Sequence, residues 1–267
     1  MSVKHGLYLA PFGELAEPRR LVDIAQAAEQ GGWDGVFLWD HMLRPIEETQ
    51  LIGDAWISMA AMAMATATIR LGPLVTPITR RRPWKLARES VALDRLSDGR
   101  LILGLGLGVD SGGELTRLGE IVDPLVRADR LDEGARLLLA LWSGEPVTHL
   151  GEHFLVDDAQ FRPVALQRPH IPLWFAARKQ AQRPVRRAAR IGNGIHAIEM
   201  DEETVATMLE TIVAERGSLD GFDIALNVEP GTDGSARGAQ GATWIMHAFG
   251  PTATFADVMA VVRNGRH

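Results

Sequence analysis

The amino-acid sequence predicts an α/β fold, a (β/α)8 barrel whose seventh helix is reduced to a loop, and three observations predict it. Eight short β-rich runs recur along the chain, at 4–9, 35–39, 69–75, 101–107, 171–175, 194–198, 223–228 and 242–247. Segments of helical period lie between most of them. The runs themselves are close to continuously apolar, as in Leu101-Ile102-Leu103, the pattern of parallel strands covered by helices. An open doubly wound sheet is the second architecture this pattern allows. With 267 residues and 46% apolar content the chain can bury one large core, so a single domain over residues 1–267 is expected.

The intervening helices are read from their stripes. Leu21, Ile24, Ala25 and Ala28 share one helical face, and Ile57, Ala60, Ala61 and Met64 share another. Leu131, Gly134, Ala135, Leu138 and Trp142 form a third stripe, and Val205, Met208, Leu209, Ile212 and Val213 a fourth. The link 143–170 is long, and its runs 147–149 and 153–156 flank Leu150-Gly151-Glu152, which predicts a small hairpin. Only 229–241 separates the last two strands, with glycines at 231, 234, 238 and 241. A loop bordering the active site is therefore expected in place of helix seven. The second helix, 54–67, carries Ala and Met on almost every face. One side faces the barrel and the other suits a second subunit, so a homodimer is expected.

Composition removes several function classes. A net charge of −6 and a pI near 5.8 oppose nucleic-acid or anionic-membrane binding, which need a dominant positive field. With no cysteine, disulfides, thiolate metal sites and cysteine nucleophiles are excluded together. Neither an HExxH motif nor a GxSxG or Walker loop is present, so no metal site is expected. Residues 1–10 lack a signal-peptide h-region and a membrane-spanning length, and a soluble cytoplasmic protein acting on a small molecule is expected.

In a barrel, chemistry sits at the C-terminal ends of the strands, so each strand is asked what it delivers there. The second ends in Trp39-Asp40-His41: His41 is a candidate proton donor or acceptor, and Asp40 suits fixing its tautomer or binding a polar ligand edge. Thr76 offers a hydroxyl at the end of the third. Arg80, Arg81 and Arg82 follow it, either solvated or meeting an anionic tail. The fourth runs into Gly104, Gly106 and Gly108, which allow a planar ring or phosphate to approach the backbone or, equally, close strand packing. Asp110 is a second carboxylate at the mouth, or a turn residue. The GxGxG here lacks the context of a Rossmann fingerprint. Ala176, Ala177, Arg178 and Lys179 after the fifth strand, with Gly194 opening the sixth, suit a phosphate beside a helix start. Trp39 and Trp174 are candidates for walling an aromatic ligand.

These segments together resemble the luciferase-like monooxygenase superfamily across nearly the whole chain. The stretches that carry the likeness are GWDGVFLWDH (32–41), IRLGPLVTP (69–77), RPWKLARESVALDRLSDGRLILGLGLG (82–108) and the region 127–144 with the hairpin and 169–175 after it. LSDGR leading into a Gly-rich fourth strand is the most specific of these, and the closing GATW at 241–244 looks like a compact branch. The resemblance implies a barrel holding a flavin or deazaflavin ring across strands three and four, with its phosphate near strands five and six. On that basis Thr76 and 104–108 line the ring, while 176–179 and Gly194 meet the phosphate. An Asp-His pair ending strand two is similar to the branch using coenzyme F420, which makes Asp40 and His41 the implied catalytic pair. The chain departs from the family in Ala176-Ala177, where glycines are usual, and in Asn193-Gly194, where Asp-Gly is common. The implied function is F420-dependent hydride transfer to or from a small organic substrate. An FMN-dependent monooxygenase served by a separate reductase, and a non-catalytic flavin-binding barrel, are the alternatives.

Overall fold

The computed structural model describes residues 3–49, 51–179 and 181–265. In chain order the elements are β1 (Lys4–Leu9), α1 (Pro18–Gln30), β2 (Gly35–Leu38), α2 (Ala55–Ala65), β3 (Arg70–Pro73), β4 (Thr76–Pro77), α3 (Pro83–Leu96), β5 (Leu103–Gly106) and α4 (Pro124–Trp142). There follow β6 (Pro146–Leu150), β7 (Leu155–Gln160), β8 (Leu173–Arg178), α5 (Gln182–Ile191), β9 (Gly194–Ile198), α6 (Glu202–Arg216), β10 (Asp223–Val228), α7 (Ser235–Ala239), β11 (Trp244–Ala248) and α8 (Phe255–Asn264). The strands β6 and β7 form the expected antiparallel hairpin, apart from the main sheet.

The main sheet is parallel throughout, in the order β3-β2-β1-β11-β10-β9-β8-β5-β4. Its nine strands fill eight positions, because β3 and β4 are halves of one strand interrupted at the cis peptide Leu74–Val75. A parallel bridge between Leu71 and Leu101 joins β3 to the residues leading into β5 and closes the ring. Each sequence-predicted strand is present at its predicted place.

Alternation along the closed strands sends one set of residues outward to the helices and one set inward. The outward set packs against the stripes of α1 and α4, where Leu21, Ile24, Ala25, Ala28, Leu131, Gly134, Ala135, Leu138 and Trp142 are all buried as expected. Helix α2 differs from its reading. It buries Trp56, Met59, Met62 and Ala63, while Ile57 and Met64 are 66% and 68% exposed. Apolar side chains on every face leave no periodicity to choose the buried one, so the stripe singled out in the sequence is the outer side. Helix seven shrinks to the five residues of α7, and the loop around it lines no part of the central cavity.

The inward set fills the lower, N-terminal half of the barrel with Phe37, Trp174 and Trp244, whose ring centroids lie 5.6 Å apart in each pairing. Trp174 is fully buried there, so it walls no ligand, contrary to expectation. At the same closed end the LSDGR link positions Arg100, whose guanidinium donates to the Ala63 and Thr66 carbonyls at 2.8 and 2.9 Å and to the Ile69 carbonyl at 2.9 Å. The last turn of α2 has carbonyls without intrahelical partners, and Arg100 supplies donors to them. No helix among the described residues is long and apolar enough to cross a membrane.

Candidate active site

Above the tryptophans the barrel is hollow. A cavity of about 580 Å³ opens at the C-terminal ends of the strands, and every barrel position lines it: Tyr8, Trp39, Val75, Gly106, Ala176, Ile198, Asn227 and Ala248 come one from each. The strands create the space by shrinking their inward residues as they rise. On β8 the inward sequence passes from Trp174 to Ala176, and on β11 from Trp244 to Ala248. The walls are mainly apolar, with a few convergent polar groups, as expected of a small-molecule site.

His41 lines the cavity, and its Nδ1 lies 3.0 Å from Oε1 of Glu114. Glu114 is fully buried, and its other oxygen accepts the Met42 N–H at 2.9 Å and lies 3.9 Å from Arg80. Burial alone would raise this carboxyl; the hydrogen bond and charge of His41, the Met42 N–H and Arg80 together outweigh it and hold Glu114 below the usual carboxylate range. An ionised acceptor at Nδ1 places the ring proton there and leaves Nε2 as the basic nitrogen of His41.

Asp40 is therefore not the residue that orients His41. It lines the cavity, but its Oδ2 accepts from Thr76 Oγ1 at 2.8 Å, Trp56 Nε1 at 3.2 Å and Arg81 Nη2 at 2.8 Å. Arg80 donates to the Asp40 carbonyl at 2.8 Å. A buried carboxylate needs such compensation. It also means that the Thr76 hydroxyl, fully buried and absent from the cavity wall, is committed to Asp40 rather than to a ligand, and that Arg80 and Arg81 brace the loop instead of meeting an anionic tail.

The remaining sequence candidates divide. Gly106 and Gly108 line the cavity, as do Ala176 and Arg178. Gly104 does not: a Cβ there would lie 2.4 Å from the Pro73 carbonyl and 2.6 Å from Leu74, so this glycine serves close packing of the interrupted third strand. Gly194 opens β9 at the closed end, where a Cβ would meet Trp174 at 2.6 Å, so it is far from any phosphate at the mouth. Ala177 points outward into the helical layer. Lys179 is exposed and lines no part of the cavity. Arg178 forms a two-pronged pair with Glu199, also on the wall, and so arrives at the cavity already neutralised. Asp110 is a turn residue, accepting the Leu115 and Thr116 N–H groups at 2.7 and 3.1 Å.

Glu114, Tyr8, Asn227 and Glu199 were not singled out by sequence reasoning. The signal for Glu114 lay in the two glycines before it. Gly112 has φ of +75°, and a Cβ on it would meet the Arg44 backbone at 2.4 Å, so glycine allows the loop to press against 42–44 and deliver Glu114 beneath His41. Tyr8 is the chain's one tyrosine and faces inward two residues after Gly6.

Among the described residues no cluster of His, Asp and Glu is arranged to hold a metal ion. An organic redox ring is the group to test. Leu74, Val75, Pro77, 106–109, Trp39, Ala248 and Phe249 all line the cavity and offer a planar heterocycle apolar surface. Trp39 Nε1 there is buried without a partner. The residues present fit such a ring.

Comparison with known proteins agrees. The chain is 34% identical over 179 residues to an F420-dependent hydroxymycolic acid dehydrogenase of Mycobacterium tuberculosis, covering 66% of this chain and 48% of that protein. It is 31% identical over 178 residues to an F420-dependent glucose-6-phosphate dehydrogenase of Microbacterium testaceum, covering 66% and 52%. The chain thus matches about half the length of these relatives. In fold it is similar to a monooxygenase from Streptomyces bottropensis, with a TM-score of 0.78 at 20% identity over 97% of this chain and 96% of that one. It is also similar to an F420-dependent secondary alcohol dehydrogenase solved with an F420-acetone adduct, with a TM-score of 0.75 at 20% identity over 100% and 85%. The profile of the luciferase-like monooxygenases matches residues 5–265, which together with the closed barrel and its hollow mouth establishes that the chain belongs to the luciferase-like monooxygenase family.

Proposed function

We propose that this protein is an F420-dependent oxidoreductase that interconverts an alcohol and a carbonyl compound, with His41 as the proton-handling residue. The His41–Glu114 pair at the wall of the cavity carries the reading. When bound, the deazaflavin supplies two-electron hydride chemistry and little reactivity toward oxygen. The chain's own residues supply the rest. Glu114 fixes the His41 tautomer and stabilises the imidazolium, so Nε2 takes the hydroxyl proton of an alcohol as hydride leaves its carbon, and returns a proton to the carbonyl oxygen in reverse. Leu74, Val75, Pro77 and Trp39 hold the ring and exclude water, and Asp40 with its three donors keeps the loop after β2 in place. Support for F420 comes from the relatives above, which are F420-dependent dehydrogenases.

The test titrates wild type, His41→Ala and Glu114→Gln with F420 and with FMN, then assays a panel of alcohols with oxidised F420. F420 binds all three proteins within a fewfold. Turnover falls roughly 10²–10³-fold in His41→Ala, the usual loss with a general base, and less in Glu114→Gln. Undiminished turnover in His41→Ala removes it from the mechanism, and oxygen uptake with reduced FMN replaces the reading with a monooxygenase supplied by a reductase.

We also propose that the protein is a homodimer through the outer side of α2. Ile57 and Met64 there are large, apolar and exposed, and Leu51 beside the helix is 64% exposed. Light scattering on Ile57→Glu should report the halved mass of a dimer split in two, and an unchanged mass refutes this interface.

A further inference from the structure

A polar cluster on the wall opposite the interrupted third strand takes no part in the proton handling above. Asn227 on β10 lines the cavity, and its Oδ1 lies 2.7 Å from Nε2 of His196 on β9. His196 is fully buried, its ring set edge-on to Tyr8 with centroids 4.8 Å apart, and its Nδ1 has no hydrogen-bond partner.

Two proton arrangements satisfy the 2.7 Å contact. In one, His196 Nε2–H donates to Asn227 Oδ1 and the orphan at Nδ1 is a lone pair. In the other, the Asn227 amide donates to Nε2 and the orphan is an N–H. Buried N–H groups without acceptors are the rarer case, so the first arrangement is selected. Burial depresses His196 from 6.5 to about 4, so the ring stays neutral and keeps that tautomer at neutral pH. Asn227 then has one way to sit. Its Oδ1 is held by His196, and its Nδ2 amino group is presented to the cavity with no protein acceptor among the described residues.

The surroundings narrow what meets it. Tyr8 lines the adjacent wall, and burial raises its phenol, which therefore stands there as an O–H. The positive charge of Arg178 is already answered by Glu199, whose carboxylate also lies on this side of the cavity. Donor groups meet an acceptor oxygen rather than an ammonium group, the Glu199 carboxylate, already paired with Arg178, calls for no second cation, and its charge disfavours an anion, so an uncharged acceptor oxygen fits this wall best. It lies three barrel positions from β2, which delivers His41, so the oxygen it meets is not the one that exchanges its proton with His41.

We propose that Asn227 is a specificity-determining residue that donates through Nδ2 to a second, uncharged carbonyl oxygen of the substrate, such as a ketone, ester or amide, and that His196 is the positioning residue that holds it. This rests on the reading of the cavity as the substrate site.

The test uses two probes of one shape, cyclohexanone as acceptor and cyclohexylammonium as donor, followed on the 267-residue chain by NMR of ¹⁵N-labelled asparagine and histidine side chains. The expected spectra show His196 protonated at Nε2 and bare at Nδ1. Cyclohexanone shifts the Asn227 amide and cyclohexylammonium does not. Asn227→Leu weakens cyclohexanone binding about five- to tenfold, the worth of one hydrogen bond, and Asn227→Asp reverses the preference between the probes. His196→Phe keeps the packing against Tyr8 but releases the amide, weakening cyclohexanone about threefold, and His196→Gln, whose amide N–H again donates to Asn227, restores it. An Nδ1-protonated His196, equal binding of the two probes, or Asn227→Asp without reversal overturns the proposal. F420 is titrated into the same proteins, and its affinity is expected to be the same in Asn227→Leu as in wild type. Should wild type bind no F420, the redox reading falls, while the carbonyl preference is still decided by the probe spectra.

Discussion

The two ends of this barrel are built from the same eight strand positions and do opposite things. Below, Phe37, Trp174 and Trp244 fill the interior, and the polar edge of Trp244 is satisfied by Asp223 at 3.2 Å. Above, the next inward residue on β8 is Ala176, the inward row of β11 passes through Met246 to Ala248, and a cavity of about 580 Å³ remains. The closed end spends large side chains on stability, and the open end gives up that packing for a site. The buried polar groups at the open end include Asp40, Glu114 and His196, all above the tryptophans, while those at the closed end, such as Arg100, tie helix and loop backbone together. Substitutions that exchange these characters separate stability from binding.

Trp244→Ala should have the largest effect, lowering stability by about 3–5 kcal/mol, as emptying a packed aromatic site does. Denaturant melts measure this, while the F420 affinity of the protein that remains folded stays close to wild type. A mild loss would mean that the lower layer is less tightly packed than its geometry indicates. Ala176→Trp carries the character of the closed end upward. It should leave the melting temperature within a few degrees but raise the F420 Kd at least about a hundredfold, or about 2.7 kcal/mol, by filling the cavity. Retained affinity would place the cofactor elsewhere.

A smaller effect sharpens the boundary between the ends. His196 has its basicity depressed to about 4 from an ordinary 6.5 by burial. The unfolded chain therefore binds a proton that the native state does not, so the stability tied to neutral His196 is complete above pH 6.5 and drains away as pH falls toward 4. Between about pH 7.5 and about pH 5, wild type should lose roughly 2 kcal/mol more than His196→Phe. Parallel pH curves for the two would show that His196 titrates normally. Glu114 contributes in a different window: its carboxyl is held low, so its stabilisation is present above the ordinary carboxylate range and is lost only at more acid pH.

The barrel was legible because parallel strands covered on one side by helices and packed on the other read as apolar runs whichever way a residue points. The outer face of α2 was not legible, since alanine and methionine on all sides erase the phase that marks a buried stripe. His41 was found from its place after β2, but its partner was assigned to the neighbour Asp40 because adjacency is visible in a sequence and a contact across 73 residues is not. Gly194 shows an avoidable misreading. It opens its strand, and a parallel barrel puts every strand opening at the end away from the chemistry. Asn227 was hidden by its register, since one polar residue in an apolar strand reads as noise until the barrel closes and turns it toward a cavity.

Arg100 gives LSDGR, the segment by which this chain is most readily recognised, a purely architectural meaning. Its guanidinium ties the end of α2 to the underside of the barrel, away from the residues that line the cavity. Sorting proteins by this signature therefore sorts chassis. Two chains that share it can be expected to superimpose while catalysing unrelated reactions, and an engineer can rebuild the whole mouth, loop by loop, without disturbing the bolt that fastens the helix beneath it.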